Sequence, residues 1–324
     1  MNLSAGRVIT ALILSLPILA LVSCSGEEDE FAGSTEISIL FSSDLRGNIR
    51  SCGCAVKDMG GLGRMASYVE GVRKESKNTV FITSGDNFSA DLSFSRNKAD
   101  LAIASYELMG LDVYIPGEYE FIFGLDYLKD IATAYSFDII LANLMDPETG
   151  EPIFMPQYIV KQMDSGLKIA VTGIIDDGIV FPGYVDLSGF RVEPEAEALA
   201  GIVPRMREEA DLMFLVCHME MDKAEELLRQ VDGFDIALLG HNKPKLDRAI
   251  TVGETVLLGA GGQGMYMGRL NYLINRKGMV EYSKARLVPL KGDIGIHPGI
   301  RRLFESYGVE LTDKAAEKKQ MEIR

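Results

Sequence analysis

The sequence predicts an α/β protein, on three observations. Short apolar, β-branched runs alternate with segments of helical spacing over the first two thirds of the chain. The last third changes to a series of strand-like runs separated by turns. Residues able to do chemistry follow directly on the apolar runs, which is where α/β folds collect their ligands.

Taken in order, residues 36–43 (EISILFSS) read as a strand from their apolar and β-branched content. Residues 62–77 have helical spacing, 79–84 are a strand and 98–109 a helix. A short strand at 113–116 precedes a helix at 125–134, and strands follow at 139–143 and 167–174. Residues 194–210 form a helix with Pro194 at its start, the position helices tolerate best. Strands at 212–217 and 236–240 flank a helix at 223–230. Residues 255–259, 269–275 and 280–289 are strands, 301–307 a closing helix, and 312–324 a charged, fraying end. No internal repeat and no long linker divides the chain, so one domain is expected over 36–310, with a charged tail at 311–324.

The first 23 residues are set apart as a leader. Arg7 precedes a 15-residue apolar run at 8–22, short for a membrane span. Leu21-Val22-Ser23-Cys24 resembles a bacterial lipobox, which implies lipidation of Cys24 and anchoring to a membrane. Residues 24–35 are an acidic tether with four acids at 27–30. Ser25 after the lipidated position implies a lipid-anchored envelope protein of the outer membrane, facing the periplasm or the cell surface. The net charge of −14 and the lack of a basic stripe argue against binding a nucleic acid polymer. An anionic small substrate would need a local cation or metal to offset that field. No feature identifies a protein partner.

Asp44, Asp86, Glu118, Asn143, His218 and His241 all lie at or just beyond the ends of apolar runs. Each alone is weak, since a strand-end acid is more often a turn or cap residue and a lone histidine is usually structural. Together they offer carboxylates and two of the chain's three histidines at one edge, a donor set suited to a hard or borderline metal.

The order and flanks of these residues resemble the calcineurin-like metallophosphoesterases, in particular the catalytic domain of periplasmic 5′-nucleotidases. The family's Asp-Leu-His-Gly stands here as Asp44-Leu45-Arg46-Gly47, and its Gly-Gly-Leu-x-Arg as Gly60-Gly61-Leu62-Gly63-Arg64. Its Gly-Asp is Gly85-Asp86, and its Gly-Asn-His-Glu-Phe is altered to Gly117-Glu118-Tyr119-Glu120-Phe121. Its Ala-Asn is Ala142-Asn143, its strand-end histidine His218, its Gly-His-x-His Gly240-His241-Asn242-Lys243, and its Gly-Arg-Leu strand Gly268-Arg269-Leu270. The resemblance covers residues 36–289. It implies a four-layer α-β-β-α sandwich with mixed sheets and hydrolysis of phosphoric esters such as nucleotides. The family's separate C-terminal substrate-binding domain is expected to be missing.

The departures carry as much as the matches. One metal position of the family would use Asp44, Asp86 and the residues at 46 and 243. Arg46 offers no lone pair, and Lys243 offers one only after losing its proton. That position is expected to be lost, with fixed positive charge in its place. The other would use Asp86, Glu118, His218 and His241, with glutamate for asparagine, a set that suits Zn²⁺, Mn²⁺ or Fe²⁺. One divalent metal per chain is therefore expected. Asp44, Arg46, Tyr119, Asn143 and Lys243 are the candidate catalytic residues. Arg46 or Lys243 would hold a phosphate oxygen. Tyr119 stands where the family has a histidine, and a phenol with a reference pKa of ~10 is a poor proton shuttle at neutral pH.

Cys52-Gly53-Cys54 adds a further element beside this site. In an oxidising compartment the pair is either a labile disulfide, strained by its one-residue spacer, or two thiolates near a metal. Cys217 precedes His218 on a strand and so faces the opposite side, as core. His297 is read as a surface residue in a late turn, and 259–264 as a glycine-rich turn at the site's edge. Three functions remain open: a phosphoric-ester hydrolase with a reduced metal complement, a non-catalytic metal- or oxyanion-binding envelope lipoprotein, and a thiol redox or sulfur-handling protein using Cys52 and Cys54.

Overall fold

The structure, a computed structural model, describes residues 35–52, 58–274 and 280–311. The leader, Cys24, the tether as far as residue 34, Cys54 and the tail from 312 onward lie outside the described residues.

In chain order the first half runs β1 (Thr35–Ser42), α1 (Leu62–Glu75), β2 (Thr79–Thr83), α2 (Arg96–Leu108), β3 (Val113–Tyr114), a 3-10 helix (Glu118–Phe123), α3 (Leu125–Ala134), β4 (Asp138–Ile139), β5 (Leu144–Met145) and β6 (Tyr158–Gln162). The second half runs β7 (Lys168–Ile175), β8 (Arg191–Val192), α4 (Glu195–Glu209), β9 (Leu212–His218), α5 (Met221–Gln230), β10 (Ile236–Gly240), β11 (Ile250–Val252), β12 (Thr255–Gly259), β13 (Tyr266–Ile274), β14 (Val280–Pro289) and α6 (Pro298–Ser306).

Two six-stranded sheets result, in the orders β14-β13-β1-β2-β3-β4 and β11-β12-β10-β9-β7-β6, with β5 and β8 pairing separately. In the first sheet β1 to β4 are parallel, and β13 and β14 extend it antiparallel. In the second β7, β9, β10 and β12 are parallel, and β6 and β11 are antiparallel edges. The sheets are therefore mixed, as expected.

Strand alternation assigns the faces. On β9, Phe214 and Val216 join a large apolar core that also holds β1 to β3 and the inner residues of α1, α2 and α6. Met213, Leu215 and Cys217 join a separate core with Leu199 and Ile202 of α4 and Leu228 of α5. The layers are thus helix, sheet, sheet, helix. His218 shares its parity with Phe214 and Val216, so it opens toward the space between the sheets, and Cys217 is fully buried on the helix side.

Three sequence expectations need correction in detail. The expected strand at 139–143 splits, because the chain crosses between sheets there. Ile140 N donates to Tyr114 O in the first sheet, and Ala142 N donates to Gly173 O in the second. The edge strands β6, β8 and β11 are additional; they are short and half-exposed, so they lack a strong apolar pattern. His297 is not a free surface residue but the N-cap of α6, accepting from Gly299 N at 3.1 Å through Nδ1.

Candidate functional site

The carboxyl ends of the parallel strands place most of the candidate residues together. Asp44 follows β1, Asp86 follows β2, Glu118 opens the 3-10 helix after β3, His218 ends β9, and His241 follows β10. These connections are strained. Every described non-glycine residue with positive φ lies in the segments at this end of the sheets: Asp44, Arg46, Asp86, His241, Asn242, Lys243 and Gln263. Left-handed backbone is unfavourable for such residues and concentrates at functional sites.

Asp86, Glu118, His218 and His241 each offer a ligand atom, and these atoms all lie within 4.8 Å of one another. His218 is fully buried, with Nδ1 2.7 Å from Ser84 O and Nε2 2.8 Å from Glu118 Oε2. The carbonyl accepts the Nδ1 proton and leaves Nε2 facing the carboxylates. His241 Nδ1 lies 3.4 Å from the same Glu118 oxygen. Close backbone approach frames the ring. A Cβ on Gly85, Gly117 or Gly240 would sit 2.6, 2.5 or 3.0 Å from an atom of the His218 imidazole.

Buried carboxylates dominate the electrostatics of this edge. Asp44, Asp86, Glu118 and Glu120 are all buried. Burial raises the Asp86 pKa, with Glu118 and Asp44 adding to it and His218 opposing. Burial also works against charge on Glu118, yet the two imidazoles hold its carboxyl well below the usual range. Burial opposes the charged form of His218, but Asp86 and Glu118 beside it hold its pKa well above the ordinary imidazole value. Asp86 Oδ2 and His241 Nδ1 are buried and receive no hydrogen bond. Asp86 Oδ2 does face the Arg46 guanidinium at 2.9 Å, but His241 Nδ1, inside a cluster of two carboxylates and two imidazoles, is left as a donor atom that fits a divalent ion.

Arg46 occupies the neighbouring space. Its Nη2 lies 2.9 Å from Asp86 Oδ2 and 3.3 Å from Asp44 Oδ1, and its Nε donates to the same Asp44 oxygen. Nη1 donates to the Tyr119 hydroxyl at 3.2 Å, and the guanidinium carbon lies 4.7 Å from the Tyr119 ring centroid. Although burial disfavours its charge, Asp86 and Asp44 raise the Arg46 pKa. The side chain bridges Asp44 and Asp86 as a fixed cation. Lys243 is exposed, and its stem flanks Gly262 opposite Asp44: a Cβ at Gly262 would lie 2.6 Å from Lys243 Cγ and 3.0 Å from Asp44 Cβ. Gln263 N donates to Asp44 O, which ties the glycine-rich turn to this edge.

Asn143 behaves differently. It is buried, and its amide donates to Ile175 O and Glu193 O and accepts from Ile175 N. Its hydrogen bonds all go to backbone, fastening the crossover to β7. Cys52 is exposed in the loop after β1, with its N–H donating to Met59 O.

Two further residues that contact this cluster or its loops are absent from the sequence-based set. Glu120 is fully buried and accepts from the backbone N–H groups of Asp86, Asn87, Phe88 and Gly117 and from the Tyr114 hydroxyl. Burial and Asp86 push its pKa up to about 7, against the pull of the Gly117 N–H and the Tyr114 hydroxyl. It shapes the Asp86 turn and the Gly117 loop at once. Its place in the altered Gly-Glu-Tyr-Glu-Phe motif was the available signal. The second is Glu220, just beyond β9, which touches both His241 and Asn242. No sequence signal marked it.

Comparison with known proteins agrees with this architecture. No family model matches the chain. A Yersinia enterocolitica 2′,3′-cyclic-nucleotide 2′-phosphodiesterase/3′-nucleotidase is 26% identical over 322 residues, covering 86% of this chain and 49% of the relative. Among solved structures, the sulfate thiohydrolase SoxB of Thermus thermophilus superposes with a TM-score of 0.71 at 16% identity, over 84% of this chain and 60% of that one. The calcineurin-like phosphoesterase YfkN of Bacillus subtilis superposes at 0.70 with 19% identity, over 85% and 97%. The chain spans about half the length of the curated relatives it matches first. With its two mixed sheets, flanking helices and strand-end carboxylates and imidazoles, the chain has the fold of the calcineurin-like metallophosphoesterases and resembles the 5′-nucleotidase group among them.

Proposed function

We propose that this protein hydrolyses a small phosphoric ester, a nucleotide or similar compound, with one divalent ion held by Asp86, Glu118, His218 and His241. The observation that carries the reading is the convergence of four potential ligand atoms within 4.8 Å of one another, with His241 Nδ1 buried there and making no hydrogen bond. The activity named for the relatives, cleavage of nucleotide phosphoester bonds, supports the substrate class. Zn²⁺, Mn²⁺ and Fe²⁺ all suit two carboxylates and two imidazoles.

Bound there, the ion supplies Lewis acidity toward a phosphoryl oxygen. The chain's own residues do the rest. Arg46 stands beside the cluster as a permanent cation, restrained by Asp44 and Asp86, so it stabilises negative charge on the phosphoryl group without reorganising. The exposed Lys243 sits at the same edge, where its ammonium adds to the attraction for an anion against a chain of net charge −14. The Tyr119 hydroxyl, which accepts from Arg46, is free to donate its own proton to a leaving oxygen as a hydrogen bond. In this reading Arg46 and Lys243 take the place of a second metal.

The domain layout (1–23, 24–35, 36–310 and 311–324) and anchoring at the outer envelope through a lipid on Cys24 form part of the proposal; they rest on the sequence pattern. Among the described residues no helix is long and apolar enough to cross a membrane. Labelling cells with a fatty acid tests the anchor: Cys24→Ala should abolish incorporation, and retained label would rule it out.

The function is tested by assaying a generic phosphate monoester and a nucleotide panel with metal, after chelation, and after adding metal back. Turnover that disappears with chelation and returns with metal is expected. Tight binding of metal and phosphate without turnover would instead favour an oxyanion-binding module, a reading that Arg46's ion pairs with both aspartates make worth testing.

A further inference from the structure

We propose that Glu220 is a positioning residue that orients His241 for metal binding and holds the strained turn that carries it. The proposal rests on the metal-binding reading above. His241, Asn242 and Lys243 all have positive φ, of 70°, 54° and 58°. Three successive non-glycine residues in left-handed backbone persist only where their surroundings over-determine them.

Glu220 supplies that restraint. It is the N-cap of α5, yet its side chain makes no cap hydrogen bond to its own helix. Its carboxylate reaches across to the turn after β10 instead. Asn242 Nδ2 donates to Glu220 Oε1, and His241 Nε2 lies 3.6 Å from the same oxygen. This carboxylate therefore faces the outer nitrogen of His241, while the inner Nδ1 is buried, makes no hydrogen bond and lies 3.4 Å from Glu118. His218 has the equivalent arrangement in mirror sense: Ser84 O takes its outer nitrogen, and Nε2 faces the carboxylates. Each imidazole thus has one nitrogen turned to an acceptor outside the cluster and one turned inward. In histidine ligands such an outer acceptor fixes the tautomer and raises the basicity of the inner nitrogen. At 3.6 Å the Glu220 carboxylate acts on the outer nitrogen by its negative charge, which favours a proton there and leaves the inner nitrogen to a metal.

The test measures affinity for Zn²⁺ alone, by competition with a chromophoric chelator, in the full chain and in H218A, E220A, E220D and E220Q. The melting temperature of each chelator-treated protein is taken in parallel. The expected result is tight binding by the parent, its loss in H218A, a roughly 10- to 100-fold weakening in E220A, and partial recovery in E220D and E220Q. The metal-free melting temperature of E220A should fall only slightly, by far less than the loss of affinity, because the turn loses one half-exposed contact. Binding by E220A as tight as the parent's, with H218A impaired, would overturn the role of Glu220 and leave the metal site standing. Weakening matched by an equivalent loss of metal-free stability would reduce Glu220 to a structural strut and overturn the assignment. If the parent binds Zn²⁺ no better than H218A, the metal reading itself fails and this inference falls with it.

Discussion

Gly117→Ala is the sharpest single perturbation of the site. Gly117 has φ −101° and ψ −172°, a conformation alanine adopts freely, so any effect comes from the methyl group and not from backbone strain. That methyl would sit 2.5 Å from Cε1 and Nε2 of His218 and 2.6 Å from Asp86 Oδ1. The ring would have to retreat by roughly 1 Å to reach ordinary van der Waals contact. It has nowhere to go. His218 is fully buried and pinned by Ser84 O at 2.7 Å and Glu118 Oε2 at 2.8 Å, and Gly85 and Gly240 close in on Nδ1. Overpacking of this kind lowers stability by about 1–3 kcal/mol. Displacing a ligand nitrogen by that distance should also weaken metal binding at least ~10-fold, by the measure of losses seen when a ligand's orienting contacts are removed. Denaturant unfolding of the metal-free protein and Zn²⁺ competition read the two effects separately. Gly201→Ala in α4, with nothing within 4 Å of the added carbon, is the control, and it should stabilise by about 0.5–1 kcal/mol. A G117A protein with the parent's stability and metal affinity would refute the placement of His218 against this loop.

Three other substitutions separate the remaining roles. Glu120→Gln should lower the unfolding free energy by about 3 kcal/mol or more in denaturant melts, because the carboxylate serves four backbone N–H groups and a tyrosine hydroxyl and an amide cannot accept them all. Arg46→Ala leaves Asp44 and Asp86 buried without their shared cation, so the metal-free protein should lose about 3–5 kcal/mol, part of it regained on adding a divalent ion; thermal melts with and without metal check this. Asn143→Ala should reduce stability by about 1–3 kcal/mol while leaving Zn²⁺ affinity unchanged, since its amide serves only the backbone of Ile175 and Glu193. A fall in metal affinity for Asn143→Ala would return it to the site.

The alternation of strands and helices was legible because most strands are buried on both faces and read as continuous apolar runs, as in LMFLVCH at β9. The edge strands were not, since one open side removes the pattern: YIVKQ at β6 mixes charge with β-branched residues. The segment 139–143 was misread for the opposite reason. Its residues are all buried, but they cross between the sheets rather than extend one. Five converging residues of the candidate site, Asp44, Asp86, Glu118, His218 and His241, were legible from their strand-end addresses. Asn143 shared that address but turns its amide into the crossover, a distinction that only the hydrogen bonds reveal. Glu220 was invisible because its contact depends on the left-handed turn at His241 to Lys243, and His and Asn, though enriched in that conformation, adopt it too rarely to mark the turn.

With Arg46 proposed in place of one cation, the site has room for a single metal. The most direct measurement is metal content per chain by native mass spectrometry, on protein loaded with Zn²⁺ or Mn²⁺, with Asp86→Ala and His218→Ala alongside. One ion per parent chain and none in either variant is expected. Two ions per parent chain, or one ion that survives both substitutions, would contradict it.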